Sequence, residues 1–341
     1  MELYFLNRDF GVMTAPIDSA VSVVWSMRFF ECGTFRMIFL LDADLLSAAR
    51  SAVYVCTAAN EDGFARCGRI EYIGCTGEDQ MEISGRMLES LLSDRVMISP
   101  DSITGAVSAA VCGAVSANLR GLPVEISAES AVISDEVTLS WEWDVLSDWV
   151  YRMLKPFGAS YTVSLNVERS AVEFRIVQPG EKASAVFSSS FENIAEVAYE
   201  LHSGEMKNVA YIEGYDGTVA SVDLSDGGEI REMYQKAGDI RPGQFSGTAA
   251  YTEALRLRGR TVLGERSLEE YISCTADSSA EPVYGRDYTL GDMCYVEDAG
   301  TGISVCTRVT EADEVWENGE KWVYPAFGEK LPGVKNKLKN I

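Results

Sequence analysis

The sequence predicts an α+β fold, mainly β, in which two β-rich parts, each with a helix attached, flank an α/β part. Three observations predict it. First, residues 286–328, RDYTLGDMCYVEDAGTGISVCTRVTEADEVWENGEKWVYPAFG, carry three extended runs and the strongest turn signal in the chain. Runs 310–316 and 321–327 flank Glu317-Asn318-Gly319-Glu320, and Asn-Gly is the preferred pair for a two-residue type I′ hairpin. Ahead of them Met293, Tyr295 and Glu297 alternate with Cys294, Val296 and Asp298, and Gly300-Thr301-Gly302 turns the chain into 304–309. Such a twisted meander is too small to be stable alone, so its apolar face needs a cover. Second, strand-period runs fill residues 1–84 and return from Val209. Third, helical period is confined to a few stretches between and within those parts.

In chain order, Val21, Val23 and Trp25 alternate with small polar residues, and Phe35, Ile38, Phe39 and Leu40 continue as a buried strand. Residues 51–57 and 69–74 read as further strands around Asn60-Glu61-Asp62-Gly63, and Gly77-Glu78-Asp79 turns into 81–84. From Gly85, Met87, Leu88, Leu91, Leu92 and Val96 fall on one helical face. Ser99-Pro100-Asp101-Ser102 reads as a helix start, followed by Ile103, Val107, Val111, Val115 and Leu119 at a spacing of four. After Trp143, the apolar face Val145, Leu146, Trp149, Val150, Met153 and Leu154 predicts a second helix, stopped by Pro156 and Gly158. Residues 160–167 and 171–177 form a hairpin around Glu168-Arg169-Ser170. A helix-like run precedes His202. Strands 209–214 and 219–224 flank Asp216-Gly217, a helix spans 248–263, and 268–276 is a strand. The parts are therefore 1–98, 99–204 and 205–330, with a loose basic tail at 331–341.

The 341 residues permit two or three domains, and 47% hydrophobic content excludes wholesale disorder. Against 52 Asp and Glu stand 29 Lys and Arg, a formal charge of −23, and such a surface repels phosphate backbones. Specific nucleic-acid binding is not expected. The opening MELYFLNRDFGV lacks a basic region and a cleavage-like site, and 103–119 is interrupted by Ser108, Ser116, Asn118 and glycines. The expectation is a chain made in a cytoplasm, with no secretory signal and no membrane insertion. The eight cysteines, Cys32, Cys56, Cys67, Cys75, Cys112, Cys274, Cys294 and Cys306, include no C-x-x-C pair and read as structural thiols.

Catalytic constellations find little support. The lone histidine, His202, rules out H-E-x-x-H zinc chemistry, and no G-x-S-x-G elbow, phosphate loop or dinucleotide fingerprint occurs. The pairs Glu142/Asp144 and Asp42/Asp44 could serve a glycosidase or a metal. Among 52 acids such pairs arise by chance, so Asp42 and Asp44 are expected to flank a turn and Asp144 to charge a helix N-terminus. Trp141, Trp143 and Trp149 could form a sugar platform, although helical spacing puts Trp149 on the core face. No catalytic, cofactor-binding or metal residue is assigned, and no cofactor is expected.

Three stretches resemble the tail-hub (tail-associated) proteins of siphophages, relatives of the baseplate hub of contractile tails. They are Ile70-Glu71-Tyr72-Ile73 with Ile83-Ser84-Gly85-Arg86-Met87-Leu88 and Leu91 to Arg95; Phe187-Ser188 with Phe191-Glu192-Asn193-Ile194 and Lys207 to Gly214; and the 286–328 meander with Tyr288 to Asp292, Arg308 to Glu311 and Pro325 to Gly328. With Leu255-Arg256-Leu257-Arg258-Gly259 they stand in family order. The resemblance implies two small β-barrel tube-like modules joined by an α/β module. It implies a homotrimer whose six barrels continue the sixfold tail tube at the tail tip of a phage or prophage-derived particle. Expected partners are the distal tail protein, the tape-measure protein and tip or receptor-binding proteins, with genome DNA passing through without specific binding. An acidic lumen would suit that passage. Relatives with long C-terminal enzymatic extensions exist, whereas this sequence stops soon after the hub core, so no enzymatic activity is expected of it. The alternative is a baseplate module binding host-surface carbohydrate through Trp141, Trp143 and acidic loops.

Overall fold

The computed structural model describes residues 1–76, 79–98, 101–276, 280–317 and 319–328. The chain divides into two units: Met1–Pro179 with Ala312–Val323, and Gly180–Glu311 with the chain from Tyr324 onward. The elements of the first stretch are β1 (Leu3–Leu6), β2 (Ala20–Arg28), β3 (Thr34–Leu40), α1 (Ala43–Ser51), β4 (Tyr54–Thr57), β5 (Phe64–Ala65), β6 (Cys67–Thr76), β7 (Gln80–Met87), α2 (Ser90–Ser93), β8 (Asp101–Ala106), α3 (Val107–Asn118), β9 (Val124–Ile126), β10 (Glu136–Trp141), α4 (Leu146–Leu154), β11 (Ser160–Asn166) and β12 (Ala171–Val177). Those that follow are β13 (Glu181–Ser188), β14 (Ile194–His202), β15 (Val209–Gly214), β16 (Val219–Asp223), β17 (Glu232–Ala237), α5 (Thr248–Gly264), β18 (Glu269–Ala276), β19 (Met293–Asp298), β20 (Ile303–Glu317) and β21 (Glu320–Gly328). The fold is mainly β, as expected. Among the described residues no sheet closes into a barrel: the ladders run open-ended from one edge strand to another.

In the first unit the main sheet has the order β1-β4-β6-β7-β3-β2, followed by β20. Period two decides its buried face. Phe35, Met37 and Phe39 of β3, Val23 and Trp25 of β2, Met81 and Ile83 of β7 and Leu3 and Phe5 of β1 point into one core. Removing each such large side chain from water contributes about 1.5–3 kcal/mol. Helix α1 covers that face with Ala49, Leu45 and Leu46. A second sheet, β5-β11-β12-β9, holds the expected hairpin, with Ser160 opposite Val177 and Asn166 opposite Ala171. Helix α4 packs on β11, and α3 packs on β8 and β10.

Several sequence expectations shift here. Residues 43–51 form a helix that strand-dominated reading passed over, and Asp42 is its N-cap: Oδ1 accepts a hydrogen bond from the Leu45 N–H at 2.7 Å, with Asp44 in the first turn. The pair therefore starts a helix rather than flanking a turn. The helix expected from Gly85 is not one. β7 continues to Met87 because it is laddered on both sides, by β3 and by β6, and only Ser90–Ser93 is helical. The stripe from Ile103 splits. Ile103 lies in β8 opposite Leu139, and the helix begins at Val107 and buries Val107, Val111 and Val115. Ser99, Pro100, Gly77 and Glu78 lie outside the described residues.

In the second unit, β13 pairs in parallel with β19, β19 with β20, and β21-β18-β14 complete the order. The helix-like run before His202 is strand β14, held by antiparallel pairing to β18. Runs 304–309 and 310–316 belong to one strand, β20, which supplies residues to both units. Cys294, Val296, Val309 and Phe327 of the meander are buried as alternation predicts. Their cover is Ala185, Phe187, Ile194, Ile272 and Tyr288, to which neither the strands of 209–224 nor the helix 248–263 contributes. Those elements form a core of their own, in which Tyr251, Leu255, Val262 and Leu263 of α5 pack on Ala210, Ile212, Ala220 and Val222 of the sheet β16-β15-β17. A helix has one apolar stripe, and α5 spends it on its own sheet.

The β20–β21 connection retains Gly319 at φ 83°, the left-handed region that the Asn-Gly signal demands, while Asn318 lies outside the described residues. Gly319→Val puts a β-branched side chain in that region and is expected to lower unfolding free energy by about 2 kcal/mol. Urea titration checks it, and an unchanged midpoint would remove the turn assignment.

Candidate functional site

Strand alternation puts Ala312, Glu314 and Trp316 of β20 on one side. Ala312 and Glu314 are fully buried, and Trp316 packs against the main core of the first unit. A carboxylate at a fully buried position requires partners. Glu314 has two: the Arg66 guanidinium grips both carboxylate oxygens in a fork, and Lys321 Nζ lies 2.9 Å from Oε2. Arg66 stands between β5 and β6, fixed there because its N–H donates to Thr57 Oγ1 at 3.2 Å and its carbonyl accepts from the Thr57 N–H at 2.9 Å. Lys321 reaches Glu314 across the β20–β21 hairpin, with its ammonium 5.6 Å from the Trp316 ring centroid. Next along the strand, Asp313 accepts from Arg28 at 2.7 Å. The arrangement joins chain ends far apart in sequence. It presents no open coordination or attack position, because each carboxylate oxygen of Glu314 is already taken by a cation.

A second polar centre lies around Glu89, between β7 and α2. Its Oε1 accepts from the Val163 N–H at 3.3 Å, whereas Oε2 and the neighbouring Ser90 Oγ are buried without a partner. Tyr151 and Tyr161 stand beside it with ring centroids 4.4 Å apart. Burial pushes the Glu89 carboxyl up to about 7. Burial, then the nearby Glu89 charge, pushes the Cys32 thiol up to about 12, and Cys32 Sγ–H points to the Gly33 and Met87 carbonyls. The Tyr161 phenol is raised by burial first and by Glu89 second.

The residues singled out from sequence do not converge. His202 ends β14 on the surface, Nε2 3.7 Å from the Glu200 carboxylate. Asp144 accepts from the Glu142 backbone N–H at 3.0 Å and from Arg152 of α4 at 2.7 Å, so it ties a loop to a helix rather than facing the Glu142 carboxylate. Trp149 is core, as its spacing predicted, and its Nε1–H donates to the Ser140 carbonyl at 2.9 Å. Trp141 is also buried, edge-on to Trp149 at 5.7 Å, which removes it from any sugar platform; Trp143 alone is exposed. The eight cysteines are free thiols, and Cys56 and Cys67 lie opposite one another across β4 and β6. Among the described residues no cluster of His, Cys, Asp or Glu has the geometry of a metal site. The ionic centre at Glu314 escaped sequence reading. Its one sequence signal is a charge at a position of the same parity as Ala312 and Trp316.

Comparison with known proteins bears directly on this assembly. The profile of the siphovirus ReqiPepy6 Gp37-like proteins matches residues 2–329. No curated protein matches the chain in sequence. Among solved structures, the 43 kDa tail protein of prophage MuSo2 from Shewanella oneidensis superposes with a TM-score of 0.59 at 12% identity, over 96% of this chain and 98% of that one. A tail protein from Neisseria meningitidis MC58 gives 0.57 at 11% identity over 96% of each chain. Prophage tail protein gp18 from Listeria monocytogenes EGD-e gives 0.57 at 10% identity over 99% of this chain and 98% of that one. At such identities the likeness is one of fold. The resemblance to siphophage tail proteins drawn from the sequence is borne out.

Proposed function

Because the chain belongs to the siphovirus ReqiPepy6 Gp37-like family, we propose that it is a structural hub protein at the distal end of a phage or prophage-derived tail. The observation that carries this reading is the end-to-end correspondence with the tail-protein fold, 96–99% of the chain in the three superpositions. In this reading three copies form a ring of pseudo-sixfold symmetry, each contributing two barrel-like β modules, and the ring joins the tail tube to the tip. The partners are a second and third copy, the distal tail protein, the tape-measure protein and tip or receptor-binding proteins. DNA passes through without specific contacts, which the formal charge of −23 favours. The role is non-enzymatic: its chemistry is the holding of sheets together, as the Glu314 centre does. The carbohydrate-binding alternative loses its main support with the burial of Trp141.

Light scattering of the purified chain, alone and with its distal tail protein, tests the reading. A particle of three times the chain mass is expected. A strict monomer in both conditions overturns it.

A further inference from the structure

The sheet β16-β15-β17 carries α5 on one face, and among the described residues the side chains on its other face, Tyr211, Ser221, Asp223, Glu232 and Tyr234, belong to neither core of the second unit. Tyr211 of β15 and Tyr234 of β17 are direct neighbours in the parallel register, both exposed, at 39% and 54%. Their hydroxyls cross the β15–β17 junction in opposite diagonals. Tyr211 Oη–H donates to Glu232 Oε1 at 2.9 Å, two pairs back, and Tyr234 Oη–H donates to Glu213 Oε2, two pairs forward. Both side chains stay exposed with their hydroxyls engaged in this way. Around them stand Glu213, Glu232 and the exposed Asp223, against one ammonium, Lys236, whose Nζ is 3.6 Å from Glu213 Oε1.

An aromatic platform flanked by carboxylates attracts ammonium groups twice, through the ring quadrupoles and through charge. The chain itself supplies a matching segment. Of its nine lysines, Lys330, Lys335, Lys337 and Lys339 fall within ten residues, in a sequence otherwise dominated by acids. We propose that the exposed face of the β16-β15-β17 sheet is a docking surface for the lysine-rich segment 330–339 of this chain. The tyrosine rings receive lysine side chains, and Glu213, Glu232 and Asp223 neutralise them. Docking of this kind does not depend on the hub role proposed above.

Trypsin cleavage of the full chain after Lys335, Lys337 and Lys339, followed by mass spectrometry, reads the docking. At about 20 mM salt the wild type is expected to be cut at least fivefold more slowly than at about 500 mM, where charges farther apart than a few ångströms are screened. The double variant Glu213→Gln/Glu232→Gln, which keeps the shape of the face, is expected to be cut at the fast rate in low salt. A matched loss of two exposed charges elsewhere, Glu61→Gln/Glu125→Gln, should leave the protection intact. Equal rates in wild type and Glu213→Gln/Glu232→Gln overturn the proposal. Equal loss of protection in both double variants also overturns it, because the attraction would then be to net charge alone.

Discussion

Arg66→Ala is expected to destabilise the protein by about 3–5 kcal/mol, the range for removing one partner of a buried ion pair. The reason lies in what is left behind. Glu314 has no exposed surface, and its Oε1 is held by Arg66 alone while Lys321 touches Oε2. Without the guanidinium, a carboxylate stays buried with one of its two cations. Arg66 is itself partly exposed, which moderates its own desolvation and places the cost on Glu314. Arg66→Lys restores charge without the two-toothed fork and should recover less than half of the loss. The control is Glu314→Gln in the Arg66→Ala background, which removes the stranded charge and should recover about 1–2 kcal/mol. Urea unfolding at neutral pH measures all of these. An Arg66→Ala change below about 1 kcal/mol would mean that Glu314 is solvated in solution.

Glu89→Gln is expected to stabilise the protein at neutral pH and above. The Glu89 carboxyl is raised from 4.5 to about 7 by burial, so the folded state holds its proton more tightly than the unfolded chain. Between those two values the folded state binds more protons, and stability falls as pH rises; below 4.5 the group contributes no penalty, and above about 7 the penalty is complete. From pH 5 to pH 8 the wild type should therefore lose about 2–3 kcal/mol relative to the variant. Glutamine keeps an acceptor for the Val163 N–H and carries no charge to desolvate. Unfolding free energies of both proteins at pH 5, 6, 7 and 8 give the difference directly. A difference that does not change with pH would exclude Glu89 as its source.

Much of the fold was legible from local signals. Alternation placed Cys294, Val296, Val23 and Trp25 in cores, and helical period found α4 and α5 nearly to the residue. These succeed because burial of one face is a local, periodic constraint. Two of the misreadings share a cause. Gly85 to Met87 and the run before His202 have sequences tolerant of helix, yet each is laddered by partner strands remote in sequence, and paired backbone groups outweigh weak intrinsic preference. Helix α1 went unseen for the opposite reason, as Asp42 and Leu45 are ordinary in a loop until a core exists for Ala49 to enter.

By itself the sequence determined the fold class, the acidic surface and the resemblance to siphophage tail proteins, because these are properties of composition, period and ordered local motifs. Only the tertiary structure decided that runs 304–309 and 310–316 of the 286–328 meander are one long strand paired with β2, β19 and β21, that β13, β14 and β18 rather than α5 cover the meander, and that Glu314 needs Arg66, 248 residues away. Coverage and charge pairing are contacts between distant segments. Periodicity announces that a face must be buried, and it does not name the partner that buries it.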